Sequence, residues 1–248
     1  MQNDSLGDRI KTYEDAFRQY LPIRMPVIIR IDGCHFHSYT SGCGRPFDQK
    51  LIDTMDETAM YLCKNIQNAA IAYTQSDEIS ILLINYKDKN TGSWFDNNVQ
   101  KMCSVAAGMT SAYFTSVSHK IFGETKIATF DCRAFVVPRE DVNNSIECRQ
   151  QDATRNSIQM LARSLYSHKE CNDKNMSDLQ EMCFKKGKNW NDLPTSQKRG
   201  RCIVKEKYEK DGSTRSRWIV DNEIPIFHKE PNYINQYVFP PTEEDKEE

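Results

Sequence analysis

Two carboxylates, Asp32 and Asp77, each fall where an apolar run meets a turn signal, and acids held at strand ends can grip divalent cations. Asp32 follows the run Val27-Ile28-Ile29-Arg30-Ile31 and precedes Gly33, while Asp77 lies in Thr74-Gln75-Ser76-Asp77-Glu78, just ahead of Ile79. Taken singly, an acid after a strand is equally a turn former or a helix cap, and Ser-Asp-Glu at a hairpin is ordinary turn chemistry. Two acids brought to one sheet edge would repel unless a cation lay between them. Magnesium suits such a pair, because it takes a few carboxylates plus phosphate oxygens and fills its octahedron with water. Two such ions can activate a hydroxyl and stabilise a leaving pyrophosphate.

The segment after Asp32 adds to this. Gly33 permits a tight turn and lets its carbonyl approach an ion. His35, Phe36 and His37 offer ring faces and imidazole donors to a nucleotide. Two alternatives stand beside that reading: a zinc site from Cys34, His35, His37 and Cys43, whose spacing fits no regular zinc motif, and a plain loop with Phe36 in the core. Arg45 and Arg133 are candidates for holding triphosphate or RNA phosphate through charge-assisted bonds.

The elements around these residues are legible from periodicity. Residues 5–20 read as an amphipathic helix with Leu6, Ile10, Tyr13 and Phe17 on one face, and 27–31 as a buried strand. A long helix is expected over 47–68, strands over 69–73 and 79–84, a second long helix over 99–118, and a strand over 129–137 stopped by Pro138. The order β-α-β-β-α-β predicts an α+β, ferredoxin-like fold in which the first strand lies antiparallel beside the third. That topology carries Asp32 to the start of the strand that Asp77 begins. Beyond Pro138, helical patterns over 139–167 and 177–187 lead to a hairpin, 201–204 with 217–220, turned near Asp211-Gly212. Three regions are therefore expected: 1–138 as the catalytic unit, 139–240 as a helical and hairpin extension, and 241–248 as a disordered acidic tail.

Composition narrows the class. Hydrophobic residues make up 38% and charged residues 27% of 248, which describes a polar globular chain with room for a sizeable core. Net charge is only -2, but 11 basic residues against 4 acidic ones crowd into 185–217, a footprint suited to phosphate backbones or, equally, a solvated lysine-rich hairpin. The nine cysteines form no C-x-x-C pair and are odd in number; with no secretory signal and no run of about 20 apolar residues, reduced thiols in a cytoplasmic protein without membrane association are expected.

The residues also resemble a known family. Val27 to His37 resembles the signature strand and loop of the tRNA-histidine guanylyltransferases, and Ala72 to Ser80 resembles their second signature. Arg45-Pro46-Phe47-Asp48 is similar to the family's lysine-containing loop, and Phe130-Asp131-Cys132-Arg133 to its fourth-strand segment. The resemblance implies a polymerase-type palm, a homotetramer, and a reaction in which the 3′-hydroxyl of GTP or another nucleoside triphosphate attacks an activated 5′-phosphate of tRNA. It implies that Asp32, Gly33 and Asp77 bind two Mg²⁺ ions and that Glu78 is a further catalytic acid. Cys34, His35, Phe36, His37, Arg45, Asp48 and Ser76 would then hold the nucleotide together with Asp32, Gly33 and Asp77. The tRNA would meet Arg133, Arg155, Asn156, Lys185, Lys186, Lys198 and Arg199, with ATP or an existing triphosphate supplying the activation.

Two departures from the family pattern bear on substrate choice. Arg45 stands where a lysine is usual, keeping charge but changing geometry. Residues 154–160 read Thr-Arg-Asn-Ser-Ile-Gln-Met, where eukaryotic enzymes dedicated to tRNA-histidine carry HINNLYN. This is similar to the bacterial and archaeal guanylyltransferase-like branch, and it implies templated repair of 5′-truncated tRNA rather than addition of one G. A nucleotide cyclase or a non-catalytic RNA-binding sheet are the remoter readings. The latter expects exposed aromatics on the first and third strands, where Ile29, Ile31, Ile79 and Ile81 stand instead.

Overall fold

A computed structural model describes residues 5–88 and 90–239. Its helices and strands in chain order are α1 (Leu6–Asp15), β1 (Val27–Gly33), α2 (Phe36–Tyr39), α3 (Gln49–Asn65), β2 (Ala69–Gln75), β3 (Glu78–Leu83), α4 (Val99–Val117), α5 (His119–Phe122) and β4 (Phe130–Val136). There follow α6 (Val142–Leu165), α7 (His168–Cys171), α8 (Met176–Lys185), α9 (Thr195–Arg199), β5 (Arg201–Lys210), β6 (Ser213–Asp221) and α10 (Asn232–Val238). The expected tail at 241–248 lies outside the described residues.

The strands form one six-stranded sheet in the order β4-β1-β3-β2-β5-β6, every neighbouring pair antiparallel. The first four reproduce the ferredoxin-like order. Val27, Ile29 and Ile31 of β1 and Ile79 and Ile81 of β3 face α3 and α4, joining Met55, Ala59, Leu62, Met102, Ala106 and Phe114 in one core. The opposite face, with Ile28, Ile71, Tyr73 and Leu82, is covered by Val142, Ile146 and Ala153 of α6 and by Ile234 and Val238 of α10. Being covered on both sides is why 27–31 reads as a continuous apolar run rather than an alternating one. Each such fully buried side chain contributes about 1.5–3 kcal/mol relative to exposure.

The hairpin after the basic stretch belongs to the same sheet. Ala72 pairs with Ile203 and Thr74 with Arg201, so β5 continues the sheet beyond β2 and residue 138 marks no edge of it. Asp211 and Gly212 turn the hairpin with φ of 54° and 71°, the left-handed pair that a two-residue turn of this twist requires. Behind it, α6, α8 and the following loop close a small third core around Ile158, Leu161, Ala162, Leu179 and Cys183.

The apolar stripe of the first helix is not covered: Leu6 is 67%, Tyr13 66% and Phe17 77% exposed, and α1 buries none of its residues. Helical periodicity reports that one face is apolar; it does not report that the chain itself supplies the cover. Among the described residues no helix is long and apolar enough to cross a membrane.

Candidate functional site

The corner of the sheet where β1 ends and β3 begins carries the acids. Asp32 lies opposite Glu78 on one side and Asp131 on the other, in register across both neighbouring strands. β2 and β3 are joined by the two residues Ser76 and Asp77, with Gln75 paired to Glu78 and Ser76 held at φ 48°. A non-glycine residue in the left-handed region is a local strain of the kind found at functional corners. The Gly33 amide donates to the Asp77 carbonyl at 3.2 Å, which fixes the turn against the end of β1. Topology thus brings Asp32 and Asp77 to one edge, as strand order alone implies.

Gly33 is required there by space. A Cβ at this position would collide with the Phe36 ring, which packs on Tyr39, Phe114 and Phe130 at centroid distances of 4.8, 5.6 and 5.0 Å. Phe36 is buried, so it lends the site a wall more than a free stacking face. His35, at φ 56°, and His37 are exposed beside it, and Cys34 donates its amide to the Thr129 carbonyl at 2.8 Å.

The carboxyls differ in environment. Burial, then the charges of Asp32 and Glu78, push the Asp77 carboxyl above the usual carboxylate range, against the hydrogen bond it accepts from Ser76. Glu78 is buried and held by Arg149 of α6, whose Nε lies 2.9 Å from Glu78 Oε1; the Ser80 hydroxyl is 3.3 Å from the same oxygen. Glu78 therefore faces a cation, which it shares with Asp152 at 2.7 Å from Arg149, while Asp32 and Asp77 have no ion-pair partner among the described residues. Asp48 caps α3: it accepts from the Gly44 amide at 2.7 Å and from Lys50 and Leu51 at 3.0 and 3.2 Å. Those bonds, led by that from Gly44, hold its carboxyl below the usual range.

A cleft with about 1210 Å³ of empty space opens on this corner, lined by His37, Arg45, Asp48, Ser76, Asp77 and the edge of Phe36. Thr40, Met160 and Arg163 also stand in its wall and were not singled out from sequence. The signal was present: Asn156, Met160 and Arg163 fall at i, i+4 and i+7, one stripe of α6. A second, smaller and half-open pocket adjoins it and shares Asp48, Leu51, Ser76 and Met160.

The expected RNA contacts scatter. Asn156 lines the smaller cavity, and neither cavity is lined by the other six. Arg133 is exposed on β4 beside Arg30 of β1, 3.6 Å from Asp131, and Arg155 is ion-paired with Asp152. Lys185 and Lys186 close α8, Lys185 lying 3.8 Å from Glu181 and Lys186 over the Tyr166 ring. Lys198 donates to the Asn191 carbonyl at 2.7 Å, while Arg199 is half-buried and offers its carbonyl to Tyr73 Oη at 2.7 Å.

Among the described residues no three His, Cys, Asp or Glu side chains form a metal-holding group. No such group forms from Cys34, His35, His37 and Cys43, nor from Asp32, Asp77 and Glu78. What the corner does offer is two carboxylates, one with a raised proton affinity, and the nearby Gly33 carbonyl: a small set of hard oxygen donors that fits Mg²⁺ better than a softer ion.

Comparison with known proteins is specific. The family model described as Thg1, tRNAHis guanylyltransferase, matches residues 7–138. A solved bacterial tRNA(His) guanylyltransferase (Thg1)-like protein in complex with ATP is 51% identical, superposes with a TM-score of 0.89, and is matched over 95% of this chain and 100% of its own. A complex with GTP is 50% identical with a TM-score of 0.85 over the same shares. A probable tRNA(His) guanylyltransferase of Dictyostelium discoideum is 25% identical over 212 residues, 77% of this chain and 81% of that protein.

Proposed function

The chain belongs to the Thg1 tRNAHis guanylyltransferase family, and on that premise we propose that it is a nucleotidyltransferase extending the 5′ end of tRNA, joining the 3′-hydroxyl of a nucleoside triphosphate to an activated 5′-phosphate. The observation that carries this reading is that Asp32, in register with Glu78, and Asp77, whose carbonyl accepts from the Gly33 amide, meet at one sheet corner beside a cleft lined by Asp77, Arg45 and Arg163. Opposite charges are thereby separated across one cavity: acids at the sheet edge, cations on the loop and on α6. Relatives of this chain take ATP and GTP, and a cleft so charged suits a triphosphate.

Asp32, Asp77 and the Gly33 carbonyl are the groups that would hold Mg²⁺. Bound there, the metal would lower the pKa of the attacking hydroxyl and offset charge growing on the pyrophosphate. The chain's own part is positioning. Arg45, Arg163 and His37 orient the phosphates, Asp48 keeps the start of α3 and the loop at Gly44 in place, and the buried Phe36 fixes the backbone after Gly33. Glu78 acts at one remove, through its bond to Arg149 and its place opposite Asp32. Most of the rate gain in phosphoryl transfer comes from such orientation and electrostatics.

Templated addition is favoured over a single G by residues 154–160, where the stripe Asn156, Met160 faces the cavities in place of HINNLYN. The exposed stripe of α1 is assigned to a contact between copies, consistent with a homotetramer, and the scattered cations at Arg133, Arg155, Lys185, Lys186, Lys198 and Arg199 to tRNA phosphates. The test is to supply labelled, 5′-truncated tRNA with all four nucleoside triphosphates and Mg²⁺. Extension limited to residues that restore pairing with the 3′ strand upholds the reading; one G added whatever the opposing base contradicts the templated form.

A further inference from the structure

The bond between Arg149 and Glu78 is one link in a longer row of charges. Arg149, Asp152 and Arg155 follow one another at three-residue steps along α6, so each side chain reaches the next. Arg149 Nε lies 2.9 Å from Glu78 Oε1, and its Nη1 lies 2.7 Å from Asp152 Oδ2. The other oxygen of Asp152, Oδ1, pairs with Arg155 Nη2. Two carboxylates and two guanidiniums thus alternate, and the row as a whole is neutral. The side chains of Glu78, Arg149 and Asp152 are mostly covered and only that of Arg155 is half exposed, so water and salt screen the two inner bonds little.

None of Glu78, Arg149 and Asp152 lines the cleft or the pocket beside it, so the row acts on the sheet corner from behind. Its action there is electrostatic. Glu78 lies opposite Asp32 across β1 and β3, and its charge is felt by the Asp77 carboxyl. The place of the Arg149 guanidinium therefore sets how much of that charge reaches the two acids. With Glu78 as its only partner, Arg149 would be held at one nitrogen and free to turn about it. Asp152 takes a second nitrogen, and a planar guanidinium gripped on two edges keeps one orientation. The helix itself does not depend on that grip. Gln150 Nε2 donates to the Pro225 carbonyl at 2.8 Å, Gln150 Oε1 accepts from the Phe227 amide at 3.0 Å, and Val142, Ile146 and Ala153 are packed in the core. Loss of the Asp152 charge would free a side chain and leave the helix in place.

We propose that Asp152 is a positioning residue of the transfer reaction: it locks the Arg149 guanidinium against Glu78 and so fixes the charge behind Asp32 and Asp77. The inference rests on the reading of that corner as the reacting centre. Arg155 completes the balance. With Arg155 on its outer oxygen, Asp152 carries no surplus charge to draw Arg149 away from Glu78.

The test compares the full chain with Asp152→Asn, Asp152→Glu and Arg155→Gln. The first keeps the shape of the side chain and removes its charge; the second restores the charge on a longer arm. Exchange of the Arg149 Nε–H with solvent is read by NMR, and extension of 5′-truncated tRNA is followed so that kcat and KM separate. Locking predicts that Asp152→Asn speeds this exchange and lowers kcat, each by about 10-fold or more, with KM for the nucleoside triphosphate within about 2-fold, the pattern of a misplaced group rather than a lost contact. Asp152→Glu should recover most of both. Arg155→Gln should leave the Arg149 Nε–H protected, because the two inner bonds remain. An unchanged kcat in Asp152→Asn overturns the proposal whatever the exchange shows. So does a lower kcat with the Arg149 Nε–H still protected, which would place the effect of Asp152 elsewhere. If the unsubstituted chain extends no tRNA at all, the transferase reading falls, and the exchange rates of the same variants decide the locking of Arg149 by themselves.

Discussion

Arg149 Nε lies 2.9 Å from Glu78 Oε1, joining the middle of α6 to the first residue of β3, next to Asp77 in the chain. The pair is well covered, with side-chain exposures of 22% and 7%. It removes one negative charge from the acid corner and anchors the helix that brings Met160 and Arg163 to the cleft. Replacing Arg149 by Met should cost about 3 kcal/mol, because a buried carboxylate is left without its cation. Urea unfolding checks this, and Arg149→Met with Glu78→Met together should recover most of the loss; a double variant no better than the single one contradicts the pairing.

Ionised Asp77 should destabilise the metal-free fold. Its carboxyl is raised by burial and by the charges of Asp32 and Glu78, so the folded protein binds that proton more tightly than the unfolded chain does. Ionised Asp77 therefore costs stability above its folded pKa, and the cost is relieved as pH falls through it. Two results follow. Asp77→Asn should raise Tm in metal-free buffer, and it should abolish any rise in Tm on adding Mg²⁺. Calorimetry with and without the metal reads both Tm effects.

Asp48 behaves in the opposite sense. Amide donors from Gly44, Leu51 and Lys50 depress its pKa, so its stabilising contribution is present above the unfolded value and lost as pH falls through the folded one. Asp48→Ala should cost about 1 kcal/mol, the usual loss of a helix cap, and Asp48→Asn less. A larger effect on KM for the nucleotide than on stability would show that Asp48 also serves the cleft, which it lines.

Reading Asp32 and Asp77 as neighbours needed only strand order, because an antiparallel pairing of the first and third strands fixes which ends meet. The run 27–31 and the stripes Met55-Ala59-Leu62 and Met102-Ala106 carried their elements plainly, since burial imposes a period on them. Three features lay beyond the sequence for identifiable reasons. The partner of Glu78 depends on where α6 crosses the sheet, which no local pattern encodes. The joining of β5 to β2 is a long-range pairing, and a hairpin signal specifies its own turn but not its neighbour. The stripe Leu6, Tyr13, Phe17 announces an apolar face, and no described residue of this chain covers it.

That stripe gives a prediction of its own. Light scattering should report a particle about four times the 28.8 kDa subunit, and Ile10→Asp with Phe17→Asp should reduce it. An unchanged mass in the double variant would place the subunit contact elsewhere.

The most direct measurement compares Asp32→Ala and Asp77→Ala with the unsubstituted chain, in extension of 5′-truncated tRNA and in tRNA binding on the same samples. Both acids lie at one sheet corner beside the cleft, and loss of either should reduce extension by about 1000-fold or more, as expected when an electrostatic group of the reacting centre is removed, while tRNA still binds. Extension persisting at near its normal rate in either variant would contradict the assignment of this corner as the reacting centre.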